Sequence, residues 1–220
     1  MLNNDQYFKE KQFKNQIVIH HTAGGSNADN VIHGWNFNVE RIGTAYLIDG
    51  AGVIKKAFEP EYWAYHLGLK SGNNLSLNKG SIGIEICNWG QLIKKGNVYY
   101  NYYNGIVSEN EVVQIKKFRG FEYYHKYNDL QLISLKKLLN ELCAKFAIKK
   151  HYNSDMWDIS ANALKGVNGI YTHVSYRSDK NDCSLFVVGT HQKKRPNNLI
   201  MGRMYCSHLL DMFEFGVENF

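Results

Sequence analysis

Gln16-Ile-Val-Ile-His-His-Thr-Ala23 and Ser81-Ile-Gly-Ile-Glu-Ile-Cys87 are the two runs on which the fold turns. Each is short, rich in β-branched apolar residues and bounded by polar ones, the pattern of a strand buried inside a sheet. Alternation in the second run puts Ile82, Ile84 and Ile86 on one face and Glu85 on the other. His20 closes the apolar stretch of the first, and a third strand-like run, Gly169-Ile-Tyr-Thr172, is closed in the same way by His173.

Outward from these runs, Ser26 or Asn27 can cap a helix in which Val31, Ile32, Trp35 and Val39 recur at helical spacing. Residues 44–48 and 52–58 flank Asp49-Gly50, a turn signal that joins two strands. Residues 94–103 form a surface hairpin about Gly96-Asn97, and Ser108-Glu-Asn-Glu111 matches a helix capping box. From Asp129, Leu132, Leu135, Leu138, Leu139, Leu142 and Phe146 make an amphipathic stripe, and 199–213 reads as a terminal helix. Strands mixed with helices in this order predict an α/β fold, a central mixed β-sheet flanked by helices. No repeat or linker divides the chain, so the expectation is one domain over 1–220, with a core of about 15–190 and a helical extension of about 191–220.

Composition narrows the class. With 44% hydrophobic and 21% charged residues the 220-residue chain is that of an ordinary globular protein. No apolar run is long enough for a bilayer, and Met1-Leu-Asn-Asn-Asp-Gln6 lacks the basic start and apolar stretch of a secretory leader. The expectation is therefore synthesis in the cytoplasm and no membrane partner. Cys87, Cys143, Cys183 and Cys206 are scattered without a Cys-x-x-Cys pair, which predicts free thiols. The net charge of +6 favours anionic partners, nucleic acid or an anionic cell wall alike.

The chemistry gathers on few residues. Strand ends on one edge of a sheet bring together side chains distant in sequence. His20, His173 and Asp182 would offer two imidazole nitrogens and a carboxylate, a zinc set with one position open. From spacing alone Asp179 and Asp182 read equally as solvated loop charges beside Arg177 and Lys180. Glu85, a carboxylate in an apolar strand, is costly unless it faces a polar cavity, where it could act as a general base, or lies on a solvated face. Lys180 is either a surface lysine or a positive charge aimed at an oxyanion.

With those residues assembled, the chain resembles the zinc-dependent N-acetylmuramoyl-L-alanine amidases of the amidase-2 family, whose superfamily includes the peptidoglycan recognition proteins. Four stretches carry the resemblance: Val18-Ile-His-His-Thr-Ala23, Ala64-Tyr-His-Leu-Gly68, Ser81-Ile-Gly-Ile-Glu85, and His173 through Lys180-Asn-Asp182. It implies His20, His173 and Asp182 as zinc ligands, with His21 turned the other way along its strand. It implies Glu85 as catalytic base, Lys180 as transition-state stabiliser and His66 as a residue lining the substrate groove. Cys183 rivals Asp182, since some relatives use a cysteine as third ligand. The chain departs from the family pattern where Cys183-Ser184 replaces Pro-Gly, and where Thr44 stands in place of a catalytic tyrosine, with Tyr46 two residues later. No tyrosine role is carried over.

The implied reaction is hydrolysis of the amide joining muramic acid to L-alanine in peptidoglycan. The expected setting is a phage or prophage endolysin, a monomer with peptidoglycan as its partner and zinc as its cofactor. A bacterial wall-remodelling amidase and a non-catalytic peptidoglycan-binding protein are the alternatives. Nucleic-acid binding is disfavoured, because the basic residues are dispersed and no reader motif stands out.

Overall fold

The computed structural model describes residues 1–70, 72–150 and 153–183. The strands, in chain order, are β1 (Gln16–His21), β2 (Tyr46–Ile48), β3 (Ile54–Lys56), β4 (Ser81–Ile86), β5 (Gln91–Lys95), β6 (Val98–Tyr100), β7 (Ile106–Val107), β8 (Val112–Phe118), β9 (Phe121–His125) and β10 (Gly169–Thr172). The helices are α1 (Ala28–Trp35), α2 (Asn74–Gly80), α3 (Asp129–Phe146) and α4 (Ala161–Leu164). The expected terminal helix lies outside the described residues, as does Cys206.

The central sheet has the order β10-β1-β4-β2-β3. Its four pairings are mixed: three are parallel, joining β10, β1, β4 and β2, and edge strand β3 is antiparallel to β2. All six residues of β1 are buried, which explains why its sequence is continuous rather than alternating. Ile17, Val18, Ile19, Leu47, Ile48, Ile82, Ile84 and Ile86 form the centre of the core. Each such side chain contributes about 1.5–3 kcal/mol of transfer free energy.

The leucine stripe forms α3 as expected, with Leu135, Leu138, Leu139 and Leu142 buried. Its start is a capping box, since Asn128 accepts from the Gln131 N–H and the Gln131 side chain accepts from the Asn128 N–H. Its end is Ala147 in the left-handed region. Gln131 Nε2 also donates to the Cys87 carbonyl (2.8 Å), and Ser134 Oγ to the Gly52 carbonyl (2.5 Å), tying the helix to the sheet. Asn27 caps α1 by accepting from Asp29 and Asn30, but that helix ends at Trp35, and Val39 lies beyond it, exposed.

The capping-box reading at Ser108 is corrected by the structure. It starts only a single 3₁₀ turn, Glu109–Glu111, with no side-chain cap, and the chain then enters β8. A second, antiparallel sheet of order β7-β6-β5-β9-β8 occupies this region. The expected hairpin about Gly96-Asn97 is present as β5 and β6, and Tyr99 is buried in it rather than exposed. Cys87, Cys143 and Cys183 are free thiols. Among the described residues no helix is long and apolar enough to cross a membrane.

Candidate metal centre and active site

Strand register builds the site. His20 pairs with Glu85 across β1 and β4, and Ile19 pairs with Thr172 across β1 and β10. Parallel neighbours in register point to the same face about 4.8 Å apart. His173, the residue after Thr172, therefore reaches the same edge as His20 and Glu85, at the carboxyl ends of three parallel strands. The loop that follows returns Asp182 to this edge. One ligand atom from each of His20, His173 and Asp182 lies within 4.8 Å of the others, and all three residues are buried.

The hydrogen bonds fix which atoms face inward. Ser81 Oγ lies 2.6 Å from the Leu77 carbonyl, which takes its only proton, so it accepts from His66 Nε2 at 2.9 Å. His66 Nδ1 is then an acceptor, and His20 Nε2 donates to it at 3.0 Å. His173 Nε2 donates to the Leu67 carbonyl at 3.0 Å. The remaining nitrogens both face Asp182 Oδ2: His173 Nδ1 at a hydrogen-bonding 2.7 Å, and the lone pair of His20 Nδ1 at 3.5 Å. His20, His173 and Asp182 would hold a metal ion here. The donor set fits a divalent cation with nitrogen and oxygen ligands.

Charge states agree with this. Burial, helped by the nearby His173, pulls the His20 pKa down to about 4, so the ring is neutral near pH 7. Burial likewise holds His66 well below its ordinary value. For Asp182 burial acts upward, yet His173 and His20 override it and keep the carboxyl well below the usual range.

These residues border a cleft of about 350 Å³ that also holds Thr44, Glu85, Gln91 and Lys180. Burial and then the charge of Asp182 push the Glu85 carboxyl well above its normal pKa, with Lys180 opposing. Its Oε2 is buried with no hydrogen-bond partner among the described residues. A larger cavity of about 850 Å³ lies at the amino end of α3 and contains none of the triad.

The sequence alternatives separate here. Asp179 is a surface charge paired with Arg177, whereas Asp182 is buried against the histidines. Cys183 turns away from the triad to Tyr127, whose hydroxyl is 3.3 Å from Sγ, and burial raises its thiol pKa well above normal. His21 points to the opposite side, 3.0 Å from the same hydroxyl.

Two residues went unremarked in the sequence. Tyr127 is one, joining His21 to Cys183 behind the site. Arg119 is the other: from the turn between β8 and β9, its guanidinium donates to the carbonyls of Arg177 and Lys180 (both 2.6 Å) and Val174 (3.2 Å), and pairs with Asp158. It clamps the loop that carries Lys180 and Asp182. A basic residue at a turn tip was the available signal, but nothing in the spacing links it to residues 174–180.

Residues 11–185 match the family model described as N-acetylmuramoyl-L-alanine amidase. The chain belongs to that family. Among solved structures, PlyL is 14% identical, with a TM-score of 0.47 and 82% of each chain covered. The amidase AmiD from E. coli, complexed with anhydro-N-acetylmuramic acid-L-Ala-D-gamma-Glu-L-Lys, is 19% identical over 64% of this chain and 48% of that one, with a TM-score of 0.43. Drosophila peptidoglycan recognition protein SD is 16% identical, covering 81% of this chain and 80% of that one, with a TM-score of 0.44.

A separate, short similarity links the amidase-family chain to ribosome production factor 2 homologs. The Homo sapiens protein is 61% identical over 49 residues, which is 22% of this chain and 16% of that protein. The Arabidopsis thaliana protein is 51% identical over 53 residues, 24% of this chain and 17% of that protein. The chain thus spans about a sixth of the length of these curated relatives.

Proposed function

We propose that the chain is a zinc-dependent N-acetylmuramoyl-L-alanine amidase that hydrolyses the amide between N-acetylmuramic acid and L-alanine in peptidoglycan, acting on the bacterial wall in the manner of an endolysin. The observation that carries this reading is the convergence of His20 Nδ1, His173 Nδ1 and Asp182 Oδ2 on one point, beside a buried carboxyl, in a chain of this family. Zinc held there supplies a Lewis acid that polarises the scissile carbonyl and acidifies water.

The chain's own groups do the rest. Glu85, the register partner of His20, accepts a proton from the attacking water and returns it to the departing L-alanine nitrogen. Its raised pKa suits the first of these roles, since a carboxylate that holds a proton more tightly is the stronger base toward water. Lys180, on the cleft wall, stabilises the developing oxyanion. Asp182, His20 and His173 would hold the ion.

Mass spectrometry of products from purified sacculi tests this, with and without a chelator. New free L-alanine amino termini are expected, abolished by the chelator and restored by zinc. Release of reducing sugar ends, or of internal peptide fragments instead, would refute it.

A second reading of the setting is favoured by one observation, the 61% identity over 49 residues to a human protein with counterparts in plants. In that reading the same hydrolase is encoded by a eukaryote and acts on peptidoglycan from bacteria it encounters. The DNA flanking the gene distinguishes the two: intron-bearing eukaryotic neighbours support the second, and phage structural genes the first.

A further inference from the structure

We propose that His66 is a positioning residue for the metal centre, setting the tautomer of His20, and that it is not a substrate contact. The inference rests on the reading of His20 as a metal ligand. Both nitrogens of His66 are engaged within the protein, Nε2 with Ser81 Oγ (2.9 Å) and Nδ1 with His20 Nε2 (3.0 Å). The ring borders the cleft with no nitrogen left for a ligand.

The direction of the chain of bonds is forced from its far end. The Leu77 carbonyl has no proton to give, so Ser81 donates to it, His66 donates to Ser81, and His20 donates to His66. His20 is left with its proton on Nε2 and its lone pair on Nδ1, toward Asp182. If the ring held the other tautomer, it would present an N–H to the ion and could not bind it. Such outer partners of metal-binding histidines fix ring orientation and tautomer.

The backbone around His66 serves the second histidine. The Leu67 carbonyl accepts from His173 Nε2 at 3.0 Å, so adjacent residues of one loop orient both imidazoles. Asn78, a fully buried residue of α2, holds this loop by accepting from the His66 N–H (2.8 Å) and the Leu67 N–H (3.1 Å). Gly83 leaves space for the ring: a Cβ there would stand 3.2 Å from His66 Nδ1 and 2.6 Å from Thr44 Cγ2.

Three variants separate the acceptor from mere bulk. Asn at 66 keeps an acceptor near the place of Nδ1, Gln keeps a polar group near the place of Nε2, and Phe keeps only the ring. Zinc affinity is read by competition with a chromophoric chelator, the ligand field by visible absorption of the cobalt-loaded protein, and folding by thermal melting of the metal-free protein. His66→Phe is expected to weaken zinc about 10–100-fold and alter the cobalt spectrum. His66→Asn is expected to recover most of the affinity and His66→Gln little of it. Should the Phe variant not fold, the comparison of Asn with Gln decides. Wild-type affinity and spectrum in His66→Phe, or a Gln variant as tight as the Asn variant, would overturn the proposal. Failure of the wild-type chain to bind zinc would instead remove the reading beneath it.

Discussion

Arg119 is a quantitative test of how the site loop is held. Its guanidinium makes three charge-assisted bonds to the carbonyls of Val174, Arg177 and Lys180, plus an ion pair with Asp158. The ion pair counts for little, because the Asp158 side chain is 72% exposed and such pairs contribute about 0–1 kcal/mol. Hydrogen bonds to a charged donor contribute about 1.5–3 kcal/mol each when buried. These are part-buried, and water can reach some of the freed carbonyls, so the lower end applies. Arg119→Ala is therefore expected to lose about 4–5 kcal/mol of unfolding free energy from the three carbonyl bonds, at about 1.5 kcal/mol each. Lys at this position lacks the planar fork that reaches carbonyls of three residues and should restore only part of the loss. Urea denaturation of the metal-free proteins measures this directly. Because the loop carries Asp182, zinc retention after dialysis should fall in parallel. A loss in Arg119→Ala below about 0.5 kcal/mol, the range of ordinary surface changes, would refute the reasoning.

Three further outcomes are expected. Glu85→Gln should retain one zinc per chain while losing at least about a hundredfold in muropeptide cleavage, followed by chromatography of products; wild-type turnover would remove Glu85 as the base. In the metal-free protein, folding holds the pKa of His20 and of His21 near 4, against about 6.5 in the unfolded chain. The folded state thus binds fewer protons between these values, and the stability present above pH 6.5 should be lost as pH falls toward 4, on the order of 3 kcal/mol per ring. Glu85, raised by burial, acts in the opposite sense, and denaturation at pH 7 and pH 4.5 gives the net slope; a chain more stable at the lower pH would contradict the assignment. Gly90 has φ +71°, and a Cβ there would stand 2.4 Å from His21 Nε2, so Gly90→Ala should cost at least about 2 kcal/mol, seen as a lowered thermal midpoint.

What the sequence made legible follows from how local each signal is. β1, β4 and α3 were readable because their burial is written in consecutive residues: two apolar runs and one leucine stripe. The second sheet was not. Its β8–β9 hairpin turns through Arg119 and Gly120, with φ values of +47° and +96°, the geometry of a two-residue type I′ turn. Such turns favour Asn-Gly or Asp-Gly, and Arg in the first place obscures the signal. Ser108 to Glu111 has capping-box residues, but Val112 onward lacks a 3.6-residue apolar stripe, and strand pairing prevailed.

The site divides along the same line. His20 and His173 were foreseen at strand ends and Glu85 within an apolar strand, and parallel register explains their meeting. Asp182 stood level with Asp179 on spacing, because only the returning loop decides which carboxylate is buried. His66 was visible through resemblance, but its partners Ser81 and His20 lie 15 and 46 residues away, so its place behind His20 emerges only in three dimensions.

The most direct test of the metal centre is X-ray absorption at the zinc edge on the zinc-loaded chain, alongside His173→Ala and Asp182→Asn. Two imidazole nitrogens near 2.0–2.1 Å and at least one carboxylate oxygen are expected in the wild type, with one imidazole lost in His173→Ala. A first shell containing sulfur, or one unchanged by either substitution, would contradict a centre built from His20, His173 and Asp182.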